Sequence, residues 1–450
     1  MMSERKDRVE KLFLTYADFS LDARMPADHA LRQISEVIDF SFVRQEVAHC
    51  YGYNGNKSVD PTLLVKLMFL LFYERVRSER ELFRQLPLRL DWLWFCKLDL
   101  DDEIPNHSVL SKARRRWGLE VFERIFMHVL EQCAAAGLID GETVYADSTV
   151  LKADASVDSR IPRVLWQQLE SASTESNAII KEKNTSSEDD DNSSDDENSD
   201  DACVAFLPRS IALEDTQAKD LPPPPRGKFN RRIVSRTDPD SATTSRRGKN
   251  VKLGYKDHSL VDGYCGMVLA TIATAADYDD STLLIPLLDK QLQYLNEQAN
   301  RVVGDSSYGT IDNMAQLRQR KCQPYLKRRP SRSDNRHWLD RMPEECDRGT
   351  AVRLMKRRLH ISEGRFAEAH ERYDHRNCRW RRRWRVQIQC YLVAVVQNIT
   401  RLARHAKPRR RSGVMKQLQS IARLKCRAIF AAIRSFSLPW QQYPRYLPQM

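Results

Sequence analysis

At 450 residues and 52.4 kDa the chain exceeds what one hydrophobic core usually holds, so two or more folding units are expected and a single small domain is excluded. Hydrophobic residues make up 41% and charged residues 30%, which permits a buried core under a heavily charged surface. The net charge of +12 is uneven: residues 351 to 450 hold 24 Lys or Arg against 4 acids, a net +20, and the first 350 carry −8.

The chain opens on Ser3, Glu4, Arg5, Lys6 and Asp7, which predicts no secretory signal and a cytosolic protein. From Val37 to Leu138 the pattern is helical. Asp60-Pro61 begins one helix, with Pro61 suited to the first turn and Leu63, Leu64, Leu67, Met68 and Leu71 at helical spacing. That helix holds the longest apolar stretch, Leu63 to Tyr73, which Lys66 interrupts and which is too short to span a membrane. Ser78 to Leu86, Asn106 to Arg116 and Leu119 to Ala136 read as further helices, so residues 1–138 form an all-helical unit. Within it the run containing Arg114, Arg115 and Arg116 suits a DNA backbone, an exposed amphipathic helix being the alternative.

At Gly141 the period changes. Thr143 to Val150 is β-branched and alternating, as in a strand. Residues 160–249 read as an acidic, largely disordered surface insertion with one short helix near Val164 to Leu169. Between Ser186 and Asp201 nine acids lie among Ser and Asn with no basic or aromatic residue, and Pro222 to Pro225 follow. Val251 to Leu260 and Met267 to Thr274 form a predicted hairpin around Asp262-Gly263-Tyr264. A helix over Asp279 to Asn296, a short strand at Arg301 to Val303 and a helix from about Gly309 come next. Three β elements followed by alternating helix and strand give an α+β (mixed α/β) class, a mixed sheet with helices packed on it. Residues 139–159 and 250–405 make up this second unit, and 406–450 a basic tail.

Ten cysteines never form a Cys-x-x-Cys pair, and His360, His370 and His375 lack matching partners, so free thiols are expected and zinc is not. No P-loop occurs. The arginine-rich stretch with Arg381, Arg382, Arg383 and Arg385 beside Trp380 and Trp384 suits a polyanion, a solvated helix face being the alternative. His258 is expected to be a packed histidine, and Asp277, Asp279 and Asp280 to be helix caps.

Three carboxylates remain. Asp147 crosses the first strand, Asp305 follows Val302-Val303-Gly304, and Glu363 lies in an arginine-rich helical stretch. Each alone is a turn, cap or surface residue. Together they supply the hard oxygen ligands that metal-dependent phosphoryl transfer needs. The order Asp147, Asp305, Glu363 resembles the DDE transposases of bacterial insertion sequences. Ala146-Asp147-Ser148-Thr149, Leu253-Gly254-Tyr255-Lys256 and Gly304-Asp305-Ser306-Ser307-Tyr308-Gly309 carry the likeness, with Pro26 to Arg32 and Arg77 to Leu82 in the helical part.

The resemblance implies an RNase H-like mixed sheet flanked by helices, two Mg²⁺ ions (Mn²⁺ as a substitute) on Asp147, Asp305 and Glu363, and DNA cleavage followed by strand transfer. It also implies double-stranded DNA as partner, at element ends and target, with a homodimer in the synaptic complex and residence at the bacterial nucleoid. Arg365, beside Glu363, joins the expected DNA contacts. A non-catalytic DNA-binding derivative and a nuclease without strand transfer are the alternatives. The third block departs from the family spacing Y-x2-R-x3-E-x6-K: those places hold Lys356, Leu359, Glu363 and His370, and Arg358 is one position out of register.

Overall fold

The computed structural model describes residues 20–52, 58–171, 228–246, 249–329 and 336–406. The acidic run from Ser186 to Asp201 and residues 407–450 lie outside the described residues.

The helical part is built on α1 (Ala30–Val37), α2 (Phe42–Val47), α3 (Pro61–Tyr73), α4 (Glu79–Gln85), α5 (Leu90–Cys96) and α6 (Ser108–Ala135). Asp60 caps α3 by accepting the Thr62 N–H at 2.9 Å, and Pro61 fills the first turn, where a missing donor costs nothing. Leu63 to Phe72 are all buried, so α3 is a central helix, hydrophobic on every side; its one cation, Lys66, donates to the Phe95 carbonyl. Ser78 caps α4. The two helices expected on either side of Gly118 run end to end as α6, broken where Gly118 takes φ 66°.

The sheet contains β1 (Thr143–Lys152), β2 (Ala242–Arg246), β3 (Lys249–Asp262), β4 (Val268–Ala275), β5 (Arg301–Gly304) and β6 (Gln323–Leu326). Its order is β4–β3–β1–β5–β6, with β2 also on β3. The β3–β4 and β1–β3 pairs are antiparallel, whereas β1–β5 and β5–β6 are parallel. This is the RNase H-like arrangement, mixed α+β with helices on both faces. Helices α7 (Leu284–Leu295) and α8 (Ile311–Gln319) form the parallel crossovers, and α9 (Arg348–Arg358), α10 (Gly364–Tyr373) and α11 (Arg383–Ala406) follow.

Alternation along β1 divides its side chains between two faces. Val144 and Ala146 join the main core with Val302, Leu284 and α11, while Tyr145 packs with Val303, Tyr325, Leu354 and Met355 beneath α9. Asp147 therefore points to the α9 side. On the other face α11 covers the exposed edge of β4: Gln387 exchanges bonds with the Ala273 N–H and Thr271 carbonyl, and Asn398 does the same with both backbone groups of Val268. Side-chain amides thus stand in for a missing neighbouring strand.

Parts of residues 160–249 are ordered where the composition predicts disorder. A helix occupies 163–171, Arg160–Pro162 pairs with Ile233–Ser235, and β2 joins the main sheet. Asp238 is fully buried and accepts from the Tyr255 hydroxyl at 2.6 Å. Polar composition hid this flank, because its order comes from pairing with β3.

His258 is fully buried on β3, bonded to Thr274, as expected of a packed histidine. Burial is the largest influence holding its pKa down at about 4, Lys256 adds to it, and Asp280 opposes it. The native state keeps the ring neutral while the unfolded chain protonates near 6.5. Stability is accordingly steady above pH 6.5 and falls as pH drops toward 4, by on the order of 3 kcal/mol from this group. Thermal melts of His258→Gln should show a shallower acid-side decline than wild type.

Candidate active site

Asp147 and Asp305 are brought together by strand register. The last parallel pair, Tyr145 with Val303, lies two residues before each aspartate, so both carboxylates leave adjacent strands at the same level. The loop after Asp305 is held close: a β-carbon on Gly309 would sit 1.8 Å from the Lys327 carbonyl, so no larger residue fits there. Asp305 accepts from the backbone and hydroxyl of Ser307.

Glu363 lies at a helix defect, and Arg358 links it to Asp147. Leu359 to Glu363 form a π turn between α9 and α10, which inserts one extra residue into the helical repeat. That insertion brings Arg358, out of register by sequence count, onto the face of Glu363. Its guanidinium bridges the two carboxylates, 3.0 Å to Asp147 Oδ2 and 3.4 Å to Glu363 Oε1. Burial is the largest influence pushing the Asp147 carboxyl up, to about 6; Arg358 and the Ser148 N–H pull it down, and the charges of Asp305 and Glu363 push it further up. The three carboxylates are an all-oxygen set, the kind a hard divalent ion takes, and the charges of Asp305 and Glu363 act on Asp147, although their ligand atoms do not all lie within 4.8 Å of one another.

Arg358 is then a counter-charge whose worth depends on whether metal is bound. Arg358→Gln should lower the melting temperature more in chelator than in Mg²⁺, by roughly 1–3 kcal/mol of stability. Equal losses in both conditions would detach Arg358 from the carboxylates.

Lys327, which sequence reasoning did not single out, follows β6 beside the end of β5. Its ammonium lies 5.0 Å from the Trp338 ring centroid, and burial, Arg358 and Arg341 lower its pKa against the pull of Asp305. The one available signal was its place after a strand neighbouring Asp305. His370, at the position where the family pattern has Lys, touches Thr149 Oγ1 at 3.3 Å; burial, His375 and arginines hold its pKa down at about 4, leaving it uncharged at neutral pH.

Two expected DNA contacts are placed elsewhere. Arg114 is 4% exposed, pairs with Glu79 at 2.6 Å and lies over the Trp380 ring, locking α6 to the segment before α11. Arg365 is 1% exposed and bonds Ser259, Gln397 and Asp257. Their partners lie far away in sequence, so the arginine runs looked free. Arg115 and Arg116 are exposed, Arg116 over Tyr51. Arg381 pairs with Asp154 and Arg382 with Asp240, while Arg383 donates its N–H to Asp240 and Arg385 lies over Trp384; the first three tie the chain entering α11 to Asp154 after β1 and to Asp240 before β2.

Asp257, His375 and Cys390 bring one ligand atom each within 4.8 Å, all buried. Asp257 is already saturated by Thr271, Ser259, His375 and Arg365. Burial would raise its carboxyl, yet Arg365 and His375 hold it well below the usual range. A guanidinium already supplies the positive charge, so this cluster reads as an internal ion-pair network.

The sheet is RNase H-like, and Asp305 and Glu363 lie near enough to Asp147 for their charges to act on it. Residues 19–116 match the family model "Transposase domain (DUF772)" and residues 224–399 match "Transposase DDE domain". The chain belongs to the DDE-type insertion-sequence transposases. No curated protein and no solved structure matches it. No helix among the described residues is long and apolar enough to cross a membrane.

Proposed function

We propose that this transposase cuts DNA at the ends of its insertion sequence and joins the freed 3′-hydroxyl to target DNA, with Asp147, Asp305 and Glu363 holding two Mg²⁺ ions. The reading rests chiefly on the match to the transposase DDE domain, with strand register setting Asp147 and Asp305 at one level on adjacent strands. When bound, the ions supply activation of the attacking oxygen and stabilisation of the leaving one, and Mn²⁺ serves in their place. The chain positions the phosphodiester: Lys327 and Arg358 offer positive charge beside the carboxylates, and the strand ends fix the ligand geometry. Nothing in this set acts as a covalent nucleophile. Arg115, Arg116, Arg381, Arg382, Arg383 and Arg385 are the proposed duplex contacts. Residues 1–138 are proposed as the DNA-gripping unit and residues 139–159 with 250–405 as the catalytic unit, working as a homodimer on two element ends at the cytoplasmic nucleoid.

The test is incubation of the full chain with labelled duplex taken from the DNA flanking its coding region. Release of a fragment in Mg²⁺ but not in EDTA, followed by its joining to a second duplex, is the expected result. Release without joining would make it a nuclease, and binding without release a non-catalytic DNA-binding derivative.

A further inference from the structure

On the face of the α9–α10 helix turned away from Glu363 lies a cavity of about 540 Å³. Arg357, His360, Gly364, Glu368 and Arg372 line it at three- to four-residue spacing, facing the β3–β4 turn at Tyr264 and the end of α11 at Arg401 and His405. Glu368 is the single acid in this lining, and it is already engaged: Arg401 pairs with it at 2.7 Å and Arg404 at 3.6 Å. Arg372 is exposed and has no ion pair among the described residues. Above Gly364 a β-carbon would meet nothing within 4 Å, so the floor is open to an incoming group. Residues 407–450, which follow His405 in the chain, hold ten Lys or Arg and no acid.

We propose that this groove binds the sugar-phosphate backbone of duplex DNA, holding a strand one helix diameter away from the carboxylates. The proposal rests on the transposase reading and adds a named surface to it. A helix with its side chains is about 10 Å across. At about 3.4 Å of duplex axis per nucleotide, a strand leaving the catalytic carboxylates meets Arg372 and Arg357 about three nucleotides on. Convergent cations on an open, concave face give the phosphates counter-charge without reading base sequence, so contacts here set register and affinity.

The test is titration of the full chain with a random-sequence duplex in EDTA, where no cleavage interferes, across 50–200 mM salt. Arg372→Glu should bind about tenfold more weakly at low salt, with a salt slope smaller by about 1, as loss of one phosphate contact requires. Arg348→Glu, an equal charge change at an exposed site at the other end of α9, should leave both near wild type. Equal loss in the two variants, or wild-type affinity and slope in Arg372→Glu, would overturn the groove assignment and leave the transposase reading standing. Competition by inorganic phosphate with DNA binding unchanged in Arg372→Glu would do the same, making this an anion pocket of another kind. Wild type failing to bind any duplex would overturn both.

Discussion

Asp147→Ala, Asp305→Ala and Glu363→Ala are each expected to reduce DNA cleavage by more than about a hundredfold while leaving end binding and melting temperature close to wild type. Losing even an outer partner of a metal ligand costs about 10–100-fold, so losing a ligand itself must cost more. The loss of stability is expected to be small because the bonds Asp305 accepts from Ser307 are local to its own loop, and burial and like charge oppose the gain Asp147 makes from Arg358. Burial and mutual repulsion push Asp147 up, and only Arg358 and one N–H oppose them. Glu363 is 57% exposed and makes one contact at 3.4 Å, so its removal costs the fold little. Cleavage is measured on labelled end DNA and binding by titration in EDTA. Full activity in any one variant would remove that residue from the site.

The opposite pattern is expected at Asp257. This carboxylate is fully buried, and Arg365 and His375, also buried, both direct bonds at Oδ2. It ties β3 to α10 and to the segment after it. Asp257→Ala leaves a guanidinium in the interior without its counter-charge, at a cost of about 3–5 kcal/mol. For a domain of this size that is a fall in melting temperature of roughly 10 °C. Asp257→Asn, which keeps some of the hydrogen bonds, should fall less. Cleavage by the folded fraction of Asp257→Asn at low temperature should approach wild type, since Asp257 holds the scaffold and not the substrate. Retained stability in Asp257→Ala would show that the network is dispensable.

How much of this was legible without coordinates depended on whether the signal was local. The strand positions of Asp147 and Asp305 were readable because each sits at or just after a β-branched run, and the parallel register sets the two strands level. Asp60 and Ser78 announced their helices through capping chemistry that acts within three residues. Arg358 was misplaced by one position because counting residues assumes a regular helix, and the π turn at Leu359 to Glu363 breaks that assumption. Arg114 and Arg365 looked like free cations because Glu79 and Asp257, which neutralise them, lie 35 and 108 residues away in the chain. β2 was hidden in a polar segment because pairing with β3 supplies its order. Lys327 was passed over because nothing in Lys327-Arg328-Arg329 distinguishes a lysine beside the strand leading to Asp305 from an exposed basic turn.

The central claim is that the carboxylates act by ligating metal, and a change of ligand softness tests it most directly. Asp305→Cys exchanges a hard oxygen for a soft sulfur, which Mg²⁺ disfavours and Mn²⁺ tolerates better. Cleavage of end DNA by this variant should be lost in Mg²⁺ and regained at least in part in Mn²⁺, while Asp305→Ala stays inactive in both. Activity of Asp305→Cys in Mg²⁺ equal to wild type, or no difference between the two ions, would contradict metal ligation by Asp305.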